Sequence, residues 1–329
     1  MNTKTKVYIY GLCNVFYDGY YILGLKAVYG NFEFNISKFP NFNQGTFAVI
    51  IEDNNELKNI IIDSRDSNEI DTNWLEWCDI YGKINYNKEK LFVTNENKII
   101  AIGPSFGIKI WDLFYTLYYL ILNFFRFKNT ISNKKEFIAN YWRQYKRFRI
   151  DCYTPSISSE NGVFFISSIW KKEEVTNKNR ALFIECCKSN LNINFEGGFA
   201  ARTDGDNLGF EKYVYSKKIH LKLYIKKIKN SAFVFNTPAV LNCHGWKLAE
   251  YLALGKAIIS TSHINTLPND LINGKHLIYA DSANKIKLAT EELIMDRNLK
   301  FKLEFNSRKY FEKYLAPRVV VQKLIEDKN

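Results

Sequence analysis

Residues 236–261, NTPAVLNCHGWKLAEYLALGKAIIST, hold a cation and a carboxylate three residues apart, Lys247 and Glu250. On a helix that spacing puts both side chains on one face. The helix reads over 246–254. It follows a loop containing His244 and Gly245, and Gly255 ends it as the C′ residue. A lysine and a glutamate near a helix N-terminus suit a ligand that carries phosphate and sugar hydroxyls. The same two residues would equally form a surface ion pair on a crossover helix, and the spacing alone leaves both readings open.

The elements that must position this pair read clearly on either side. An apolar run at 232–235 precedes it and another at 257–259 follows it, giving the strand–loop–helix–strand unit of a parallel α/β sheet. Upstream, a strand over 163–169 runs into Trp170, Lys171 and Lys172. A helix is predicted over 179–189, a strand over 193–196 and a tight turn at Gly197-Gly198-Phe199, with Arg202 just beyond. A lysine-rich helix over 219–229, a strand over 276–279 and helices over 283–295, 298–314 and 317–326 complete this half.

The first half opens with a strand at 7–10 and a loop to Gly19. Asp18 in that loop either faces a ligand, as residues after a first strand do in open α/β sheets, or caps the following helix. Strands are expected over 46–52 and 58–63, a short helix and strand over 74–83, and an apolar strand at 99–102 leading to Gly-Pro-Ser-Phe-Gly, a candidate cleft loop. The glycines at 11, 19 and 24 are too far apart for a dinucleotide fingerprint. Strand and helix alternate in both halves. The expected fold class is therefore α/β, with two Rossmann-like domains facing a cleft over 1–150 and 151–329, a linker at 150–161, and a final helix free to cross back.

Composition narrows the partners. The 329 residues carry a formal charge of +12, which calls for an acidic partner: nucleic acid, nucleotide phosphates or an anionic membrane. None of the six cysteines forms a CxxC, so they are expected to be reduced thiols of a cytosolic protein without a zinc framework. No signal-peptide pattern precedes the first strand. Residues 108–127, IKIWDLFYTLYYLILNFFRF, are the most apolar stretch, but Lys109, Asp112 and Arg126 bracket a core too short to cross a membrane. Between positions 126 and 149 eight basic residues meet one acid, Glu136. An aromatic, apolar helix followed by a basic segment fits a surface that rests on anionic lipid. Trp111, Arg126, Lys128, Lys134, Lys135 and Arg143 are expected on that surface.

The run from Trp246 to Thr261, with its Lys, a Glu three later, an apolar pair and Gly-Lys before a strand ending in Ser-Thr, resembles the donor-binding half of GT-B glycosyltransferases. The resemblance is to bacterial enzymes of surface-polysaccharide synthesis. Phe235-Asn236-Thr237-Pro238, Leu267-Pro268 and Tyr314-Leu315-Ala316-Pro317 fit the same pattern, which covers roughly 160–329. The resemblance implies a nucleotide-sugar co-substrate bound by 151–329, a lipid-linked or polysaccharide acceptor on the side of 1–150, and no other cofactor. It implies that Glu250 accepts from the donor ribose and that Lys247 and the turn after Gly245 face the diphosphate. Lys171, Lys172, Arg202 and His244 are further donor-side candidates.

Retaining members of the family often carry a second Glu, which would fall on Asn242 here. Stereochemistry is thus open, and if the enzyme inverts, Asp18 is the candidate base. Asp204-Gly205-Asp206 follows no apolar strand and reads as a turn, so no essential metal is expected. The implied place of action is the inner face of the cytoplasmic membrane. A related epimerase is an alternative. So is a basic nucleic-acid-binding protein, although no nucleic-acid motif is present and no nucleic acid is expected as a partner.

Overall fold

A computed structural model describes residues 5–54, 56–90 and 95–326. The chain forms two compact units. One runs to Cys152 and also takes Thr266–Pro268 and the segment from Tyr314; the other comprises Tyr153–Asn265 and Asn269–Lys313. Both are Rossmann-like α/β units.

The first unit contains β1 (Lys6–Tyr10), α1 (Gly19–Tyr29), β2 (Glu33–Asn35), β3 (Ala48–Asp53), β4 (Glu56–Asp63), α2 (Thr72–Trp77), β5 (Ile80–Lys83), β6 (Ile99–Ala101), α3 (Leu113–Phe127) and α4 (Lys134–Tyr145). Its sheet has the order β2-β1-β3-β4-β5-β6. Strict alternation of strand and helix fails here. β3 pairs antiparallel with both β1 and β4, and Asp53 lies opposite Glu56, so the two expected strands form a hairpin. The chain's last helix packs on α1, where Gly24 clears it: a Cβ there would lie 2.3 Å from the Pro317 carbonyl oxygen.

The second unit contains β7 (Gly162–Ser167), α5 (Glu174–Ser189), β8 (Asn194–Ala200), β9 (Val214–Tyr215), α6 (Leu221–Asn230), β10 (Val234–Asn236), α7 (Trp246–Ala253), β11 (Ile258–Ser260), β12 (Ile278–Tyr279), α8 (Ala283–Met295) and α9 (Arg297–Tyr310); α10 (Pro317–Glu326) is the helix that returns to the first unit. All its strand pairs are parallel, in two ladders, β7-β8-β9 and β10-β11-β12. The ladders are joined at one end, where the Ala232 amide donates to the Gly162 carbonyl at 2.7 Å and the Phe164 amide donates to the Ser231 hydroxyl at 2.9 Å. The order β9-β8-β7-β10-β11-β12 follows. Numbered from β7, that is 3-2-1-4-5-6, the dinucleotide-fold order, with its reversal point between β7 and β10. Phe183 of α5 stacks on Phe235 with centroids 4.4 Å apart and anchors the core over that junction.

The expected turn at Gly197-Gly198 is corrected: both glycines lie inside β8, at φ +130° and +152°. A Cβ would stand 1.7 Å from the Phe165 carbonyl oxygen at the first and 2.2 Å from that of Tyr213 at the second. The pair marks close approach of neighbouring backbones in a central strand.

The helix expected from 108 begins instead at Leu113, because the Asp112 carboxylate accepts from the Tyr115 amide at 3.0 Å as its N-cap. Trp111, expected on the surface, is buried ahead of that cap against Tyr119 and Tyr141. Beyond it α3 has its polarity reversed. Thr116 and Asn123 are buried and bonded to Gln144 and Tyr141, while Phe114, Leu117, Tyr118, Ile121 and Phe125 form an exposed stripe at helical spacing.

Candidate donor site

A cavity of about 360 Å³ opens at the carboxyl ends of β7 and β10, where open α/β sheets bind ligands. Ile166, Ser167, Ser168 and Trp170 line it after β7, Thr237 and Ala239 after β10, and Gly245, Trp246 and Lys247 at the start of α7; Arg180, Ala200 and Tyr224 close it. A larger cavity, about 550 Å³, lies between residues 155–160 and α9, away from the strand ends.

Two cations dominate the smaller cavity. Arg180 is only 5% exposed, and its guanidinium donates to neutral oxygens alone: the Thr237 hydroxyl and the Ser168 carbonyl at 2.9 Å, and the Pro238 carbonyl at 3.5 Å. Burial pulls it down to about 10. The Lys247 ammonium donates to the Ile166 carbonyl, and burial, with the Arg180 charge, pulls it down to about 7. The Glu250 and Glu173 charges offset only part of the cost of burying the two cations, and an anionic ligand would offset more of it. The start of α7 adds its dipole, with no side chain capping at Gly245.

Local sequence explains how these groups reach the site. α5 begins at Glu174, five residues before the expected start, so Asn177 and Arg180 fall on its first turns. Asn177 clamps the Trp170 backbone, accepting from its amide at 3.1 Å and donating to its carbonyl at 2.7 Å. Leu241 and Asn242 both lie at positive φ, +56° and +58°, and turn the chain into α7. Asparagine tolerates that left-handed conformation, which is a local reason for Asn242.

Of the expected donor residues, Gly245 and Lys247 line the cavity. Glu250 sits one turn on, 4% exposed, and accepts from the hydroxyl of the cavity residue Tyr224 at 3.2 Å, so it is no surface ion-pair partner. His244 is buried with its ring 5.5 Å from that of His263. Lys171, Lys172 and Arg202 lie outside the lining. Lys171 and Arg202 both hold Asp204, at 3.0 and 2.6 Å, and Lys172 is exposed. Asp204 with Gly205 at φ +80° forms a turn braced by those cations. Arg180 and Tyr224 went unnoticed in the sequence, and Trp170 was noted only as following a strand. For Arg180 a signal existed: positions 177, 180, 184 and 187 repeat at helical spacing, placing the arginine on the buried face.

In the first unit Asp18 is 1% exposed. It occupies the cap position of α1 without capping it, and accepts instead from the Asn14 amide at 2.9 Å and the Ser64 hydroxyl at 3.4 Å. Burial pushes its carboxyl well above the usual range. Nearby Asp63 and Lys83, in register at the ends of β4 and β5, form a fully buried pair at 2.8 Å that Tyr81 and Arg65 complete. Burial opposes the charge on Asp63, but the Arg65 hydrogen bonds and the Lys83 charge outweigh it and hold the carboxyl low.

No family model and no curated protein sequence matches the chain. Among solved structures it is similar to a glycosyltransferase from Rickettsia africae ESF-5, at 11% identity over 82% of this chain and 69% of that one, with a TM-score of 0.48. It is also similar to the C-terminal domain of the Francisella tularensis glycosyl transferase group 1 family protein LpcC, at 14% identity over 50% and 96%, TM-score 0.35. A third is a putative UDP-N-acetylglucosamine 2-epimerase from Listeria monocytogenes, at 10% identity over 76% and 69%, TM-score 0.37. The likeness is distant in each case, and what the chain does has to be read from the site.

Proposed function

We propose that the chain is a GT-B glycosyltransferase that moves a sugar from a nucleotide sugar to a hydroxyl of a lipid-linked or polysaccharide acceptor in surface-glycan synthesis. The observation that carries this reading is the buried cation pair Arg180 and Lys247 at the reversal point of the second sheet, neither of them hydrogen-bonded to a carboxylate among the described residues. In the reaction the bond from the sugar's anomeric carbon to the diphosphate breaks and a bond to the acceptor oxygen forms, while the hydroxyl's proton passes to the departing diphosphate oxygen or to solvent water. The diphosphate leaves with its electron pair. Arg180, Lys247 and the α7 amides are placed to stabilise that growing charge without rearranging. Glu250 and Tyr224 would meet the ribose side of the donor. Asp18, sealed from solvent with its carboxyl pushed up, serves better as a support for the Asn14 loop than as an exposed base.

A thermal-shift panel of UDP-, GDP-, dTDP- and CMP-linked sugars tests the reading; stabilisation by none of them would remove it. Nucleoside diphosphate released only when an acceptor is present separates a transferase from an epimerase. The affinity for a nucleotide sugar should also fall as pH rises through about 7, where free Lys247 loses its proton. The donor's diphosphate diester does not titrate there, so the slope belongs to the protein. Lys247→Arg should flatten it, and a flat wild-type profile would count against Lys247 as a diphosphate ligand.

The outward aromatic stripe of α3 supports the membrane part of the proposal: a peripheral enzyme on the inner face of the cytoplasmic membrane. Phe114 and Phe125 are 72% and 65% exposed, and Lys128, Lys134, Lys135 and Lys146 stand exposed beside them or on α4. Arg126 and Arg143 are tied to Glu33 and Glu136. Stacking two copies on this face would oppose like charges, whereas anionic lipid matches them, at about 1 kcal/mol per basic residue. No helix among the described residues is long and apolar enough to cross a membrane. Sedimentation with phosphatidylglycerol vesicles should drop when Phe114 and Phe125 become serine and when Lys134 and Lys135 become glutamine. Equal sedimentation of all three proteins would remove the membrane assignment.

A further inference from the structure

The larger cavity, about 550 Å³, belongs wholly to the second unit. Residues 155–160 form one wall and α9 the other. It meets the C-terminal end of α7 at Gly255, whereas the cavity between β7 and β10 meets the start of that helix at Gly245, so the two are separate sites. Its volume falls within the ~300–1,000 Å³ of small-molecule sites. Along α9 the lining runs from Arg297 to Arg308, ~16 Å at 1.5 Å per residue, and is therefore elongated.

The walls present hydrocarbon and few free polar groups. Pro155, Ile157, Phe301 and Phe305 supply apolar surface, and the last three are exposed. The Ser156 hydroxyl donates to the Lys229 carbonyl at 3.2 Å, and the Ser158 hydroxyl donates to Glu304 while accepting from Lys256. Most charges are matched as well. Glu160 pairs with Arg297, Arg308 pairs with Glu312, and Glu304 faces the buried Lys256 ammonium at 3.8 Å. Lys300 is the exception. It is 7% exposed, and its one hydrogen bond among the described residues goes to a neutral oxygen, the Ser159 carbonyl, at 3.1 Å. An ammonium has three donors, and burying one so thinly satisfied is costly unless an anion joins it.

We infer that this cavity binds a single-chain anionic lipid, a long-chain fatty acid, with its carboxylate on Lys300 and its tail along Ile157, Phe301 and Phe305. A sugar or an extended peptide needs hydrogen-bond partners along its length, and the serine hydroxyls that could supply them are spent inside the wall. A hydrocarbon tail needs none and gains with every CH₂ taken out of water. A cationic head would meet Lys300 as a like charge. The inference rests neither on the transferase reading nor on the exposed stripe of α3.

Calorimetric titration of the full-length chain with dodecanoate, below its micellar concentration, tests the site. One dodecanoate should bind per chain. Dodecyl maltoside, with the same tail and an uncharged head, should bind about tenfold more weakly. Lys300→Met should erase that preference while leaving dodecyl maltoside binding as it was, a change that lost packing alone would not produce. Phe301→Asp, at an exposed position, should weaken dodecanoate at least tenfold with the melting temperature unchanged. Phe114→Ser with Phe125→Ser on α3 should leave it as in the wild type. No binding of dodecanoate, equal affinity for the two heads, or loss of binding in the α3 variant but not in Phe301→Asp overturns the site.

Discussion

Arg180→Met should leave the chain folded and nearly abolish binding of the nucleotide sugar. Losing one partner of a buried charged contact costs ~2–5 kcal/mol, so affinity should fall by roughly 1.5 to 3.5 powers of ten. Stability should change little. The variant loses hydrogen bonds to Thr237, Ser168 and Pro238, but it also removes a cation that sits 5% exposed and is hydrogen-bonded to neutral oxygens only. One further signature separates an electrostatic role from a merely structural one. Arg180 helps hold Lys247 down to about 7, so its removal should raise the lysine and move the pH dependence of any residual binding upward. Calorimetric titration across pH reads both effects. Wild-type affinity in Arg180→Met would remove the cation pair as the donor site.

Gly197→Ala carries the largest expected cost in stability. The added carbon would stand 1.7 Å from the Phe165 carbonyl oxygen, and Phe165 is the residue paired with Gly197 in the β7–β8 ladder. Backbone cannot turn aside as a long side chain does, so the strands must separate or slip in register. We expect a loss above ~4 kcal/mol, in the range that marks an exceptional substitution. Against a total stability of about 5–15 kcal/mol, that is between roughly a quarter and most of the margin that keeps the second unit folded. Gly205→Ala is the control: its φ is +80°, but the space around it is open, so only the ordinary penalty of about 1–2 kcal/mol for a left-handed alanine applies. Circular dichroism melts of the two variants measure the difference. Equal melting temperatures would show that β8 does not need its glycine.

These two residues also show where the sequence was readable. The apolar strands flanking α7, the glycine ending it and the spans of α8 and α10 follow from periodicity and caps within a short window, and they stand where the pattern puts them. Gly197-Gly198 read as a turn because a glycine pair is a turn signal locally. Only the backbones on either side, far away in sequence, make it a strand interior. The β3–β4 hairpin was hidden for a similar reason: two apolar runs do not reveal the direction in which they pair. At the cavity between β7 and β10, Lys247 and Gly245 were legible because they sit in the motif. Arg180 lies in the middle of a helix 67 positions earlier and joins them only through the sheet order. Trp111 was assigned to the surface from composition, but the Asp112 cap starts the helix one residue too late to carry it there.

The return of α10 has a consequence for how the protein is made. Tyr20 in α1 donates its hydroxyl to the Leu315 carbonyl at 2.5 Å, Lys58 reaches the Ile325 carbonyl at 3.0 Å, and Leu324 is buried. The piece that finishes the first unit is therefore translated after the whole of the second. At ~5–20 residues per second, the α1 surface waits many seconds on the ribosome without its cover. The second unit, contiguous but for a three-residue excursion, can close during synthesis; the first cannot until the last helix has emerged. A ribosome stalled before α10 should thus display a protease-resistant second unit joined to a protease-sensitive first one.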